Sequence, residues 1–152
     1  MTDPLRMTDP LRMTDSLRIL LIEDDPNDAD LAMRSLRKSG VPAAVVHVED
    51  GEDALAYLAA EDGRRLPSLV ILDLNLPRLH GLDVLREIRA GERTRILPVV
   101  VLTSSREERD LEAAYAHGAN SYVCKPIPPD DFAAAARDIG LYWLLRNEAP
   151  PL

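Results

Sequence analysis

From residue 17 onward, short apolar runs alternate with longer segments that carry one apolar face, and this alternation constrains the fold more than any other feature. Leu17–Ile22 is a nearly continuous apolar run, the mark of a strand covered on both faces. Pro26–Lys38 then places Ala29, Ala32, Met33 and Leu36 at helical spacing, and Gly40 supplies a stop. The same pair of signals recurs along the chain. Strands are predicted over Ala44–Val48, Leu69–Leu72, Leu97–Leu102 and Ser121–Cys124. Helices are predicted over Gly51–Glu61, Gly81–Ala90, Arg106–His117 and Asp130 to about Arg146, the last with Phe132, Ala136, Ile139 and Trp143 as its inner stripe. Five strands alternating with five helices at short spacing predict a doubly wound α/β domain with a parallel sheet between two helical layers.

That domain is expected over residues 18–147. Residues 1–17 form a separate N-terminal stretch, because the first 18 residues are a hexad repeat (MTDPLR, MTDPLR, MTDSLR). Pro4 and Pro10 oppose regular structure, and six residues are too few for a solenoid unit, so a disordered tail is expected, as it is for residues 148–152. No apolar stretch approaches the roughly 20 residues of a membrane span, and no secretion signal opens the chain. The single cysteine, Cys124, excludes an internal disulfide and a cysteine-based zinc cage. A cytoplasmic protein is expected. Twenty-six acids against 18 bases give a formal charge of -8, which disfavours nucleic-acid binding. The arginines at 64, 65, 86, 89, 93 and 95 are mixed with acids and read as solvated surface.

In a parallel sheet of this kind the chemistry gathers where the strands exit. Glu23-Asp24-Asp25-Pro26 follows the first strand, Asp73-Leu74-Asn75 the third, Thr103-Ser104-Ser105 the fourth, and Lys125-Pro126 the fifth. With the first, third and fifth strands expected side by side, Glu23, Asp24, Asp73 and Lys125 should meet within a few ångströms. A carboxylate cluster needs a compensating cation. Oxygen ligands from Asp24, Asp73 and a backbone carbonyl near Asn75 suit Mg²⁺, while Lys125 adds a fixed positive charge. Thr103 offers a hydroxyl to an incoming anion. Together these are a nucleophile, a metal and a cation for phosphoryl transfer to a carboxylate. Singly each residue has a plainer use: Asp24 and Asp25 as turn residues, Asp28 as an acid in the first turn of a helix, Thr103 and Ser104 as helix caps. His47, His80 and His117 are scattered, and none looks like a ligand. Cys124 reads as an inert buried thiol.

The motifs LLIEDDP, VILDLNLPRLHG, VVVLTSS and SYVCKPI make the chain resemble the receiver domain of two-component response regulators from Arg18 to about Arg146. The resemblance implies a flavodoxin-like sheet of order 2-1-3-4-5. It places the metal-binding acids on Glu23, acting mostly through water, and Asp24, with Asp25 outside the metal shell. It places the phosphoacceptor on Asp73, the metal-binding carbonyl on Asn75, the switch hydroxyl on Thr103, the lysine on Lys125, the structural proline on Pro126 and the switching aromatic on Tyr122. ILLIEDDPND, DLNLPRLHG, LTSSREERD and IGLYWLL further resemble the single-domain regulators paired with phytochromes. The resemblance thus implies a sensor histidine kinase as donor, a bacteriophytochrome in the narrower form, and output through protein contacts, with service as a relay intermediate or phosphate sink as alternatives. The apolar end of the last helix predicts a homodimer contact through Tyr142, Trp143 and Leu145, together with the face of helix four, strand five and helix five. Such a domain would catalyse its own phosphorylation and dephosphorylation while serving mainly in signalling.

Other classes fit less well. A haloacid-dehalogenase-like phosphatase has an acid two residues after its nucleophile, where Asn75 stands here. A flavodoxin-like electron carrier needs a Ser, Thr and Gly loop after strand one, where three consecutive acids stand. A degenerate receiver acting only as a binding module would lack some of Glu23, Asp24, Asp73, Thr103 and Lys125.

Overall fold

The computed structural model describes residues 18–38, 44–60, 66–125, 134, 137 and 138. Nine elements follow in order: β1 (Arg18–Ile22), α1 (Pro26–Lys38), β2 (Ala44–Val48), α2 (Gly51–Ala59), β3 (Leu69–Leu72), α3 (Gly81–Ala90), β4 (Val99–Thr103), α4 (Glu108–Ala116) and β5 (Ser121–Cys124). The expected count of five helices is corrected to four among the described residues. The helix expected from Asp130 falls outside them apart from Ala134, Arg137 and Asp138, and so do the repeated N-terminal stretch and residues 148–152.

All strand pairs are parallel, in the order β2-β1-β3-β4-β5 that the resemblance implies. One expectation fails: β4 lies between β3 and β5, so the first, third and fifth strands are not side by side. Lys125 therefore reaches the acids across the end of β4.

Side chains alternate between the sheet's two faces with the period of two that a strand imposes. Ile19 and Leu21 of β1 join Leu69 and Ile71 of β3 beneath Ala29, Ala32 and Leu36 of α1. Leu20, Ile22, Val70 and Leu72 face the other way, against Ala54 and Leu58 of α2 and Val84, Leu85 and Ile88 of α3. The central strand residues are 0–2% exposed, so each large side chain contributes about 1.5–3 kcal/mol by burial. Both sides of the sheet are thus committed, and only its ends are left for chemistry.

Local signals set how the chain leaves each strand. Asp25 Oδ1 accepts from the amides of Asn27 and Asp28 and opens α1, which uses up the acid left outside the metal shell. Asp50 caps α2 by accepting from Asp53, and His80 caps α3 by accepting at Nδ1 from Leu82. Arg78 has the left-handed φ of 64° in the turn after Leu76, and its guanidinium ties that turn to Asp50 and, at 3.6 Å, to Glu52. Gly81 lets α3 start against the end of β3. A methyl there would be driven into the Asp73 carbonyl oxygen and lie 2.5 Å from the Cα of Leu74.

At the opposite end of the sheet Arg89 overturns its reading as solvated surface. Its guanidinium donates to the carbonyls of Arg95, Leu97 and Gly118 and to Asn120 Oδ1. The same Asn120 oxygen accepts from the Val99 amide at 2.8 Å. The end of α3 and the approaches to β4 and β5 are thereby fastened together. No helix among the described residues is long and apolar enough to cross a membrane.

Candidate functional site

Asp73 follows β3 directly, and its carboxylate is nearly fully buried. Its Oδ2 accepts from Lys125 Nζ at 2.9 Å, and its Oδ1 accepts from the Asn75 amide at 3.2 Å. Glu23, at the exit of β1, places Oε1 2.6 Å from the same ammonium and uses Oε2 to accept from the Asp25 amide at 3.2 Å. Asp24 is exposed, and Glu23, Asp24 and Asp73 each bring a carboxylate oxygen within 4.8 Å of the others. The predicted convergence of these four residues is observed.

Burial dominates the electrostatics. Removal from water drives Glu23 upward, from an ordinary 4.5 to about 8; its bond to Lys125 opposes the rise and the charge of Asp73 adds to it. Asp73 also pays for burial, yet the Lys125 charge and hydrogen bond hold its carboxyl below the usual carboxylate range. Lys125 is pushed upward against its own burial by its hydrogen bonds to Glu23 and Asp28 and by the charge and hydrogen bond of Asp73, so it stays cationic. One ammonium therefore does not satisfy the group, and the upward shift of Glu23 marks a shortage of positive charge. An all-oxygen donor set with that shortage fits a hard divalent cation, and the cluster is positioned to hold Mg²⁺.

Thr103 ends β4 fully buried, with Oγ1 accepting from the Ser105 amide at 3.4 Å. Ser105 also gathers the next strand: its carbonyl accepts from Tyr122 Oη at 3.0 Å and from Cys124 Sγ at 3.5 Å. Cys124 is half-buried, not fully enclosed as expected. Ser105 Oγ accepts from the Glu107 amide at 3.4 Å and donates to Asp110 at 2.6 Å, so Ser105 takes the turn-forming part expected of Thr103 and Ser104. Pro126, Tyr142, Trp143 and Leu145 lie outside the described residues.

Two contributors escaped the sequence. Asp28, read as a first-turn acid of α1, accepts from Lys125 Nζ at 2.9 Å. His47 Nε2 lies 2.7 Å from the Glu23 carbonyl, beyond the last backbone pair of β1 and β2, and as the donor it fixes the peptide that joins the two acids. The histidine signal is invisible to periodicity, whereas an acid three residues after Asp25 was at least in view.

Comparison with known proteins agrees with this geometry. The model of the response regulator receiver domain matches residues 19–137. The chain is 42% identical over 134 residues to the "Probable methanogenesis regulatory protein FilR2" of Methanothrix harundinacea, covering 87% of this chain and 86% of that protein. It is 35% identical over 129 residues to the response regulator Rcp1 of Synechocystis sp., covering 83% and 88%. The crystal structure of the phosphorylated cyanobacterial phytochrome response regulator RcpA superposes with a TM-score of 0.83 at 36% identity, over 89% of this chain and 99% of that one.

Proposed function

The chain belongs to the response regulator receiver domain family, and from that premise we propose that it accepts a phosphoryl group on Asp73 from the phosphohistidine of a sensor histidine kinase. The observation that carries this is the Lys125 ammonium 2.9 Å from Asp73 Oδ2, inside a group of acids spaced for a divalent cation. Asp24, Asp73 and the Asn75 carbonyl would hold Mg²⁺ directly, with Glu23 acting through water. When bound, the ion neutralises charge on the transferring oxygens.

An Asp73 carboxylate oxygen attacks phosphorus while the P–N bond breaks and its electron pair stays with the donor imidazole. Lys125 holds phosphoryl oxygens, and the Thr103 hydroxyl donates to one of them. Later, water attacks phosphorus, the P–O bond to Asp73 breaks, and phosphate leaves with the carboxylate restored. Drawing Thr103 toward the phosphoryl group loosens its contact with Ser105, the residue that also anchors Tyr122. The two switch side chains are thus coupled through one backbone segment, and the face of α4 and β5 changes with occupancy.

Residues 18–147 form the working domain in this scheme, placed in the cytoplasm with the kinase. Similarity to a cyanobacterial phytochrome response regulator over most of the chain supports a bacteriophytochrome as that kinase. Output runs through protein contacts and not through nucleic acid. It includes a homodimer involving α4, β5 and Tyr142, Trp143 and Leu145; Leu111 and Tyr115, 38% and 51% exposed and one turn apart on α4, support that face. The test is phosphotransfer with Asp73→Asn. Labelling should be lost, and stable labelling of the variant would overturn the acceptor assignment.

A further inference from the structure

Lys125 has three N–H donors and, before any phosphoryl group arrives, three carboxylate partners: Glu23 at 2.6 Å, Asp28 at 2.9 Å and Asp73 at 2.9 Å. The ammonium is fully engaged. During transfer to or from Asp73 the acceptor regains or still holds its carboxylate charge while phosphoryl oxygens need the same cation. Four acceptors then compete for three donors, so one must yield.

The three carboxylates do not yield at equal cost. Glu23 and Asp73 have side chains only 4% and 5% exposed, and a buried carboxyl group stripped of its hydrogen-bond partner is strongly disfavoured whether or not it carries a charge. The Asp28 side chain is 33% exposed. It also sits in the first turn of α1, where the helix dipole compensates a negative charge without help from Lys125. Asp28 is the partner that water and the helix can satisfy after release.

We infer that Asp28 is a positioning residue that acts through Lys125, restraining the ammonium and slowing phosphoryl transfer at Asp73 in both directions. The inference rests on Asp73 as the phosphoacceptor. In loading from an acyl phosphate such as acetyl phosphate, an Asp73 oxygen bonds to phosphorus as the P–O bond to the donor breaks and acetate leaves. In the reverse sense, water bonds to phosphorus, the P–O bond to Asp73 breaks, and inorganic phosphate departs. Each transition state draws on the Lys125 donor that Asp28 occupies.

The test compares wild type, Asp28→Asn and Asp28→Ala, loaded with acetyl phosphate at saturating Mg²⁺, with loading and loss of label followed separately. Asp28→Ala should be faster in both directions by about fivefold, the order of one ordinary, partly solvated hydrogen bond. Asp28→Asn, whose neutral amide oxygen still accepts, should fall between. A merely structural role would slow both steps, and slower or unchanged rates in both variants overturn the inference. In metal-free protein the Lys125 ammonium protons, followed by ¹⁵N NMR, should exchange faster in Asp28→Ala, and unchanged exchange also counts against it. Absence of labelling in the wild type, by contrast, would refute the acceptor assignment itself and this inference with it.

Discussion

Without metal, the domain should lose stability as pH rises from 5 to 8, and Glu23 should be the cause. Its carboxyl is raised from an ordinary 4.5 to about 8 in the folded protein, chiefly by burial. The folded state therefore holds a proton that the unfolded chain has already released. Stability from this group is fully present below about 4.5 and is lost as pH climbs through 8. The other site groups act outside this window: Asp73 is lowered, so its contribution fades only in acid, and Lys125 is raised, so its contribution fades only in strong base. At about 1.4 kcal/mol per pH unit, with the slope flattening near 4.5 and near 8, the span from pH 5 to 8 corresponds to at most about 3.5 kcal/mol. That is near 10 °C in Tm for a domain of this size. The assay is thermal or urea unfolding in a metal chelator at pH 5, 6, 7 and 8, repeated for Glu23→Gln and for wild type with Mg²⁺. Glu23→Gln should flatten the curve. Added Mg²⁺ should stabilise more at pH 8 than at pH 5, because binding the ion displaces the proton. A flat metal-free profile for wild type, or the same slope in Glu23→Gln, would show that the proton does not reside on Glu23.

Two further outcomes follow from packing. Gly81→Ala should destabilise the domain by about 2–4 kcal/mol and impair phosphorylation together, because the added methyl meets the backbone at Asp73 and Leu74; urea unfolding with unchanged midpoint would refute the clash. Arg89→Ala should cost about 2–4 kcal/mol by leaving carbonyls and Asn120 short of donors, with loading of Asp73 in the folded fraction little changed; a loss of unfolding free energy under about 0.5 kcal/mol, the ordinary range for surface substitutions, would return Arg89 to the solvated surface.

Most of the fold was legible because β and α periodicities are local. The bounds of α1, β2, β3, α3 and β5 agree with the pattern. β4 begins at Val99 instead of Leu97, past Pro98, which has no amide to give a ladder; it ends at Thr103 because that residue pairs with Cys124. α4 starts at Glu108 instead of Arg106 because Ser105 engages the turn ahead of it. The acids and Lys125 were legible as a set because parallel strands deliver their exits to one edge. What the pattern could not carry was tertiary. Asp28 meets a lysine 97 residues away, His47 bonds a carbonyl at the exit of a neighbouring strand, and Arg89 finds acceptors on two separate segments. Charge in a mixed sequence looks like surface until the partners are in place.

The clasp around Arg89 gives the sheet the mechanics of a cantilever. β4 and β5 are bolted at their entry ends to the close of α3, while their exit ends carry Thr103 and Lys125, and Lys125 bonds Asp73. A load applied at the exits is expected to bend the loops that follow them before it slides one strand along another. Strand register and the core beneath it should then stay unchanged when the tips deflect.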